Sequence, residues 1–274
     1  MTAGVCIPRT RSWEVHPGGD PGRAVQVFLA WPEPPPPAAG YPALFVLDAP
    51  VLFGTVVEAA RLQAGRPAAT GVVPGLVVGL GHGGDRAAQV AARRRDYTPP
   101  PFDPQTATGG ADAFLHAVES LVLPTVEQWV PIDRMAMALF GHSIAGLLPV
   151  HALLARPGLF GRCVAASPSL WWGDGVLLRR ARAFAAAGGP SASGSRLLLT
   201  VGGLERPDSE AALRDPVRAA RLHAARMIGN VQDLAAALSP VLLTRCVEFP
   251  DENHGSVVPA AISRAIPFAL GGRS

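Results

Sequence analysis

Short apolar runs rich in Val, Leu and Phe, each bounded by Gly or Pro, recur along the chain with helical stretches between them. This alternation limits the fold to a mainly parallel α/β sheet, because each parallel strand needs a long crossover before the next. The runs cover residues 24–30, 43–47, 76–80, 135–140, 162–166, 197–201 and 245–249. Most are almost continuously apolar, as strands covered by helices on both faces must be. Residues 111–130 carry apolar side chains at near-helical spacing with Pro124 as the expected kink, and residues 144–155 read as a helix that stops before Pro157. Residues 209–238 read as helix interrupted at Pro216 and Gly229. That stretch exceeds what one crossover needs, so part of it is expected to form an excursion over the sheet or a small lid. The tract Pro34 to Pro37 predicts a stiff, exposed connection, since Pro fixes φ and donates no backbone hydrogen bond.

The composition fits one folded domain over residues 1–274: hydrophobic residues make up 49% and charged residues 16%, which excludes general disorder. All 24 basic side chains are Arg, against 21 acidic ones, for a net charge of +3. With Ala, Gly and Pro also in excess, this reads as a high-GC coding bias and not as a polyanion-binding surface. The densest basic run, Arg93 to Arg95, meets Asp96 at once and is too short to follow a phosphate backbone, so no nucleic-acid partner is expected. Cys6, Cys163 and Cys246 form neither a CxxC pair nor an even set, which argues against a disulfide framework and against a thiolate metal site. Arg9, Arg11, Trp13, Glu14 and His16 stand where a signal peptide would need an apolar core, and no later apolar run reaches spanning length. A soluble cytoplasmic protein without a membrane partner is the expectation.

The segment that carries chemistry is 135–146, MAMALFGHSIAG, where an apolar strand runs into a Gly-His-Ser-Ile-Ala-Gly turn and then an apolar helix. A serine thrust out of a tight strand-to-helix turn is a nucleophile elbow, and it needs small flanking residues where backbone segments nearly collide. Gly141 and Ala145 occupy those positions, with Ala145 standing where the common GxSxG pattern has glycine. A helix starting after Ser143 also aims free N–H groups at the site, so the Ile144 amide is a natural oxyanion donor. The bland alternative is a Gly-rich helix start capped by a serine. The partners decide between the two, because a serine hydroxyl is a weak nucleophile until an oriented base takes its proton.

Of the seven histidines, His254 is best placed: it follows the last predicted strand in Phe-Pro-Asp-Glu-Asn-His-Gly-Ser and precedes the last helix. His142 adjoins the serine but points elsewhere from a sharp turn, so it is expected to pack or to line the pocket. The third group is expected to be a carboxylate after strand 197–201, where Gly-Gly-Leu-Glu supplies Glu205; Asp208, Asp251 and Glu252 are its rivals. The order Ser143, Glu205, His254 is that of α/β-hydrolases.

At this point the chain resembles the putative-esterase group of α/β-hydrolases, which includes siderophore esterases that open enterobactin-type trilactones. The resemblance rests on ordered matches over most of the chain. These are Tyr-Pro-Ala-Leu-Phe-Val-Leu-Asp48, Arg93-Arg-Arg-Asp-Tyr-Thr-Pro99, Gly-His-Ser-Ile-Ala-Gly146, Ala-Ser-Pro-Ser-Leu-Trp-Trp172, Glu205 and Glu-Asn-His-Gly-Ser256. It implies an α/β-hydrolase fold with helices on both faces of the sheet, no cofactor, and Ser143 and His254 as nucleophile and base. Glu205 falls at the acid position, although some siderophore esterases are described as working with a Ser-His dyad. The family's Leu-Asp-Gly turn gives an amide to the oxyanion hole; here Ala49 follows Asp48, and the role survives if that turn does not need positive φ. Arg93 and Arg95 become candidates for attracting an anionic substrate, against the alternative that they form ion pairs with Asp96. Ser167, Ser169, Trp171 and Trp172 are expected to wall the cleft, an aromatic surface suited to an aryl or acyl group.

The implied activity is a serine carboxylic-ester hydrolase acting on a small-molecule ester, with a siderophore lactone or a similar polar ester as substrate. An acyltransferase using the same serine, or a binding protein that keeps the fold without turnover, is the competing reading.

Overall fold

Residues 6–101, 103–189 and 194–272 are described by the computed structural model. Eight strands form one sheet: β1 (Thr10–Val15), β2 (Val25–Ala30), β3 (Tyr41–Leu47), β4 (Leu76–Gly81), β5 (Ile132–His142), β6 (Arg162–Ala166), β7 (Arg196–Gly202) and β8 (Leu243–Phe249). Their spatial order is β1-β2-β4-β3-β5-β6-β7-β8. β2 runs antiparallel to β1 and β4, and the other neighbouring pairs are parallel. The seven predicted runs all lie in strands, and β1 is the addition. It escapes an apolar search because an edge strand with the sequence TRSWEV leaves most of its side chains to solvent.

The period of two divides the central strands between two cores. Phe45 and Leu47 of β3 join Leu139 of β5 and Leu199 of β7 on one face, while Leu44, Val46, Phe140 and Leu198 face the other. Helices cover both sides. α1 (Ala49–Ala64) and α11 (Val257–Leu270) pack on the second face. After the short α2 (Pro67–Thr70), the first face receives α4 (Ala111–Ala117), α5 (Leu123–Glu127), α6 (Leu147–Ala155) and α7 (Trp172–Ala186). α3 (Arg86–Tyr97) closes the β4 end and buries Asp96 and Tyr97. Burying one such Phe or Leu contributes roughly 1.5–3 kcal/mol, so these layers carry most of the stability.

The expected kink near Pro124 takes the form of one π-helical turn, Val118–Val122, between α4 and α5. Proline has no N–H to give the preceding turn, and the wider turn absorbs the missing bond. Residues 209–238 break into α8 (Glu210–Leu213), α9 (Pro216–Ala225) and α10 (Met227–Leu238). The first break is at Pro216 as expected; the second is at Arg226, with φ 42°, and Gly229 lies inside α10. Gly229 has a different purpose: a Cβ there would come within 3.1 Å of the Arg226 guanidinium, which folds back over it. α9 buries no residue, whereas α10 buries Met227, Val231, Leu234 and Leu238. Among the described residues no helix is long and apolar enough to cross a membrane.

Candidate active site

The parallel strands deliver their C-terminal ends to one edge, and the chemistry-bearing residues collect there. β5 ends at His142, and Ser143 follows in the left-handed region with φ 59°. This conformation costs a non-glycine residue about 1–3 kcal/mol and persists only where its surroundings over-determine it. Here the Ser143 amide donates to the Ala166 carbonyl at 3.0 Å, and the Ser143 carbonyl accepts from Gly146 at 3.0 Å and Ser169 at 3.1 Å. A Cβ at Gly141 would lie 2.2 Å from the Ala145 carbonyl oxygen, so the chain turns back on itself where only glycine fits. The collision is with the backbone of residue 145. Its methyl group is fully buried without strain, which is why alanine serves there. The regular helix begins only at Leu147, three residues later than the predicted start, because 143–146 form the turn itself.

His254 lies between β8 and α11. The Asn253 side chain accepts from the Gly255 and Ser256 amides at 2.9 and 3.2 Å and stiffens that loop. The imidazole Nε2 is 2.9 Å from Ser143 Oγ, and Nδ1 is 2.6 Å from Glu205 Oε2. Glu205 is buried, and its other oxygen accepts from Ser167 Oγ at 2.5 Å and the Gly202 amide at 2.8 Å. Burial alone would raise the pKa of Glu205, but the hydrogen bonds from His254 and Ser167 and the nearby imidazole outweigh it and hold the carboxyl below its ordinary value. An ionised Glu205 fixes the tautomer: Nδ1–H donates to the carboxylate, and the Nε2 lone pair faces the serine hydroxyl. Of the four carboxylates weighed from sequence, Glu205 is the one that meets His254. The paired glycines before it are required: Cβ atoms at Gly202 and Gly203 would lie 2.4 and 2.6 Å from the carbonyl oxygens of Glu252 and Pro250. The ends of β7 and β8 therefore clasp backbone to backbone.

On the other side of Ser143, β3 ends and α1 begins. The positive φ of that turn, 57°, falls on Asp48 and not on Ala49, so alanine in place of glycine meets no strain. β4 makes room for its methyl group, since a Cβ at Gly79 would stand 2.6 Å from that of Ala49. Asp48 does not cap α1; its carboxylate takes the Arg93 guanidinium in a fork, Nε at 2.6 Å and Nη2 at 2.8 Å.

A cavity of about 600 Å³ opens here, lined by Asp48, Val51, His82, Arg86, Arg93 and His142 among others. Arg93 thus reaches the cavity while bound to Asp48. Arg95, two residues on, points away from it and forks onto Asp96, Nε and Nη2 both at 2.8 Å. Asp96 also meets His82 Nε2 at 2.8 Å, so the expected ion pair with Asp96 is made by Arg95, while Arg93 pairs with Asp48 at the cavity wall. Trp171 and Trp172 stand on the β6 side, near Ser169, whose Oγ is 3.4 Å from that of Ser143. Trp172 packs on the core, Trp171 is 43% exposed, and neither lines the cavity. Arg86 and Val51 were not foreseen. Arg86, Gln89, Val90 and Arg93 follow one face of α3 at helical spacing, so reading 86–97 as helix would have found that wall.

His142 stacks near His254, ring centroids 4.7 Å apart. Burial, and next the positive charge that His254 would carry, push its pKa down to about 4. Between that value and the ordinary 6.5 the unfolded chain binds the extra proton, so stability falls as pH drops through this window. Allowing for solvent screening, the effect is on the order of 2 kcal/mol. Urea unfolding at pH 7 and pH 4.5 should show a smaller acid loss for His142→Gln than for the wild type; equal losses would remove His142 as the cause.

A family model described as Putative esterase matches residues 19–231. Ferri-bacillibactin esterase BesA of Bacillus subtilis is 34% identical over 263 residues, covering 90% of this chain and 85% of that protein. The siderophore triacetylfusarinine C esterase of Aspergillus fumigatus is 32% identical over 274 residues, covering 95% and 93%. Among solved structures, the BES protein from Bacillus cereus superposes with a TM-score of 0.83 at 28% identity, covering 98% of this chain and 99% of that one.

Proposed function

The chain belongs to the Putative esterase family and is an esterase of the α/β-hydrolase fold, and from that premise we propose that Ser143, His254 and Glu205 are its catalytic triad and a siderophore ester its substrate. The observation that carries the assignment is the unbroken hydrogen-bonded line from Ser143 Oγ through the imidazole to the buried Glu205 carboxylate. Ser143 Oγ adds to the acyl carbon as its proton passes to Nε2, and Glu205 steadies the imidazolium. The carbonyl oxygen, now an oxyanion, takes the Ile144 and Ala49 amides, a donor of this kind being worth about 3 kcal/mol. The imidazolium then returns its proton to the departing alkoxide. Water, deprotonated by the same nitrogen, releases the acyl group and restores the serine.

Support for the substrate class comes from the relatives, one named for ferri-bacillibactin and another for triacetylfusarinine C. The cavity beside the elbow, with Arg86 and Arg93 in its wall, suits a bulky polar ester. We read residues 1–274 as one domain, with α9 as a lid above the Glu205 side, where Leu222 and His223 share a hollow of about 240 Å³ with Glu205. The exposed free thiols of Cys6 and Cys246 favour a reducing compartment, the cytoplasm.

The test is a substrate panel read by chromatography: iron-loaded and iron-free catecholate trilactones, a hydroxamate siderophore ester, and short nitrophenyl esters. A siderophore ester should be turned over with kcat/KM at least about tenfold above any nitrophenyl ester. Turnover of simple esters alone would overturn the substrate class and leave the esterase.

A further inference from the structure

We propose that Arg93 is a positioning residue for the oxyanion site: by holding and neutralising the Asp48 carboxylate, it keeps a bare negative charge away from the Ala49 amide that the substrate uses. The inference rests on the oxyanion role given above to Ala49. An aspartate at a helix N-cap ordinarily turns its carboxylate onto the second or third helical amide and neutralises the positive end of the helix dipole. Here those positions are Pro50, which has no N–H, and Val51, whose amide is taken by the Asp48 carbonyl, so Arg93 is what neutralises the carboxylate. Asp48 occupies the N-cap of α1 with no such bond, although its backbone carbonyl accepts from Val51 and Leu52 at 3.0 and 3.1 Å. The carboxylate is turned outward into the Arg93 fork, and the two side chains are only 28% and 16% exposed. A two-point, planar ion pair sets direction as well as distance, which a lone ammonium does not.

The placement makes this orientation matter. β3 and β5 are neighbours with Val46 opposite Phe140, so Asp48 stands level with His142, next to the serine turn. An unpaired carboxylate at that point would set a negative charge beside the one that develops in the transition state. Arg93 projects from α3, and both side chains line the cavity, where the guanidinium meets the carboxylate.

The experiment measures kcat and KM on uncharged nitrophenyl acetate for Arg93→Ala, Arg93→Lys and the double variant Arg93→Ala/Asp48→Asn, with phenylboronic acid as a tetrahedral inhibitor. Arg93→Ala should lower kcat about 100-fold with KM within threefold, and weaken the boronate in proportion, since a bare negative charge then stands beside the oxyanion. Arg93→Lys, the milder change, should fall between. The decisive result is the double variant: removing the carboxylate charge should recover about tenfold of the lost kcat, although a second residue has been altered. A structural ion pair predicts a lowered thermal midpoint for Arg93→Ala with kcat of the folded enzyme unchanged, and a substrate-attracting arginine predicts normal kcat here with KM raised for anionic esters only; either outcome overturns the inference. Ser143→Ala in the same assay separates the two levels. If it retains turnover, the triad reading falls, whereas wild-type kcat in the Arg93 variants of an enzyme that Ser143→Ala silences defeats only this proposal.

Discussion

Ser143→Ala should yield a folded protein whose kcat on nitrophenyl esters is lower by about six orders of magnitude, the scale on which serine hydrolases lose rate without their nucleophile. The lost hydroxyl contacts His254 Nε2 at 2.9 Å and Ser169 Oγ at 3.4 Å, bonds of little consequence for stability. Removing them costs about 1 kcal/mol, and the turn is set by the main-chain bonds to Ala166, Gly146 and Ser169, which do not change. The thermal midpoint should therefore move by only a few degrees. A fluorophosphonate probe should label the wild type at residue 143 and leave the variant unmarked. Turnover within tenfold of wild type would show that the nucleophile lies elsewhere.

The second large effect concerns the acid. Glu205→Gln keeps the size of the side chain but replaces an acceptor with a group that is half donor, facing a histidine N–H, a serine hydroxyl and a backbone amide. With its NH2 toward His254 the amide opposes Nδ1–H and disfavours the tautomer that aims the Nε2 lone pair at Ser143; turned the other way it opposes the Gly202 N–H, and in either orientation the negative charge that steadies the imidazolium is gone. The expected loss is about 10³–10⁴ in kcat with little change in KM, as for the corresponding aspartate in serine proteases. Buried donors left without an acceptor should also cost about 1–3 kcal/mol. Steady-state kinetics with a denaturation curve separates the two effects. A kcat loss below tenfold would mean that serine and histidine suffice as a dyad.

Much of this arrangement is legible in the sequence, for reasons that can be stated. Parallel strands covered on both faces must be apolar throughout, which gives β3 to β7 away; β1 has one wet side and an edge, and its Arg, Ser and Glu hide it. The strand-to-helix turn is visible because the Gly141 to Ala145 contact admits no larger residue, and the loop of Glu205 because β7 must end in glycines to clasp β8. Directions of side chains are not visible in this way. Arg93 and Arg95 look alike in a linear run, yet on α3 they diverge by more than half a turn, one to Asp48 and the other to Asp96. Gly229 was read as a break because glycine weakens helices, whereas here it clears space for Arg226 and the interruption falls on that arginine.

The backbone clasp between β7 and β8 separates two concerns that evolution must otherwise solve together. Glu205 and His254 are registered to each other within a few residues of the strand ends, so the stretch that departs after Glu205 and returns through α10 does not set their spacing. α8 and α9 hang from that corner like an interchangeable fitting: α9 has no fully buried residue and touches the core only at its last residue, Ala225, while Leu213 and Val217 lie bare. A lineage built on this plan can lengthen, shorten or rewrite the fitting to suit a new clientele, while the proton-handling corner beneath it stays fixed.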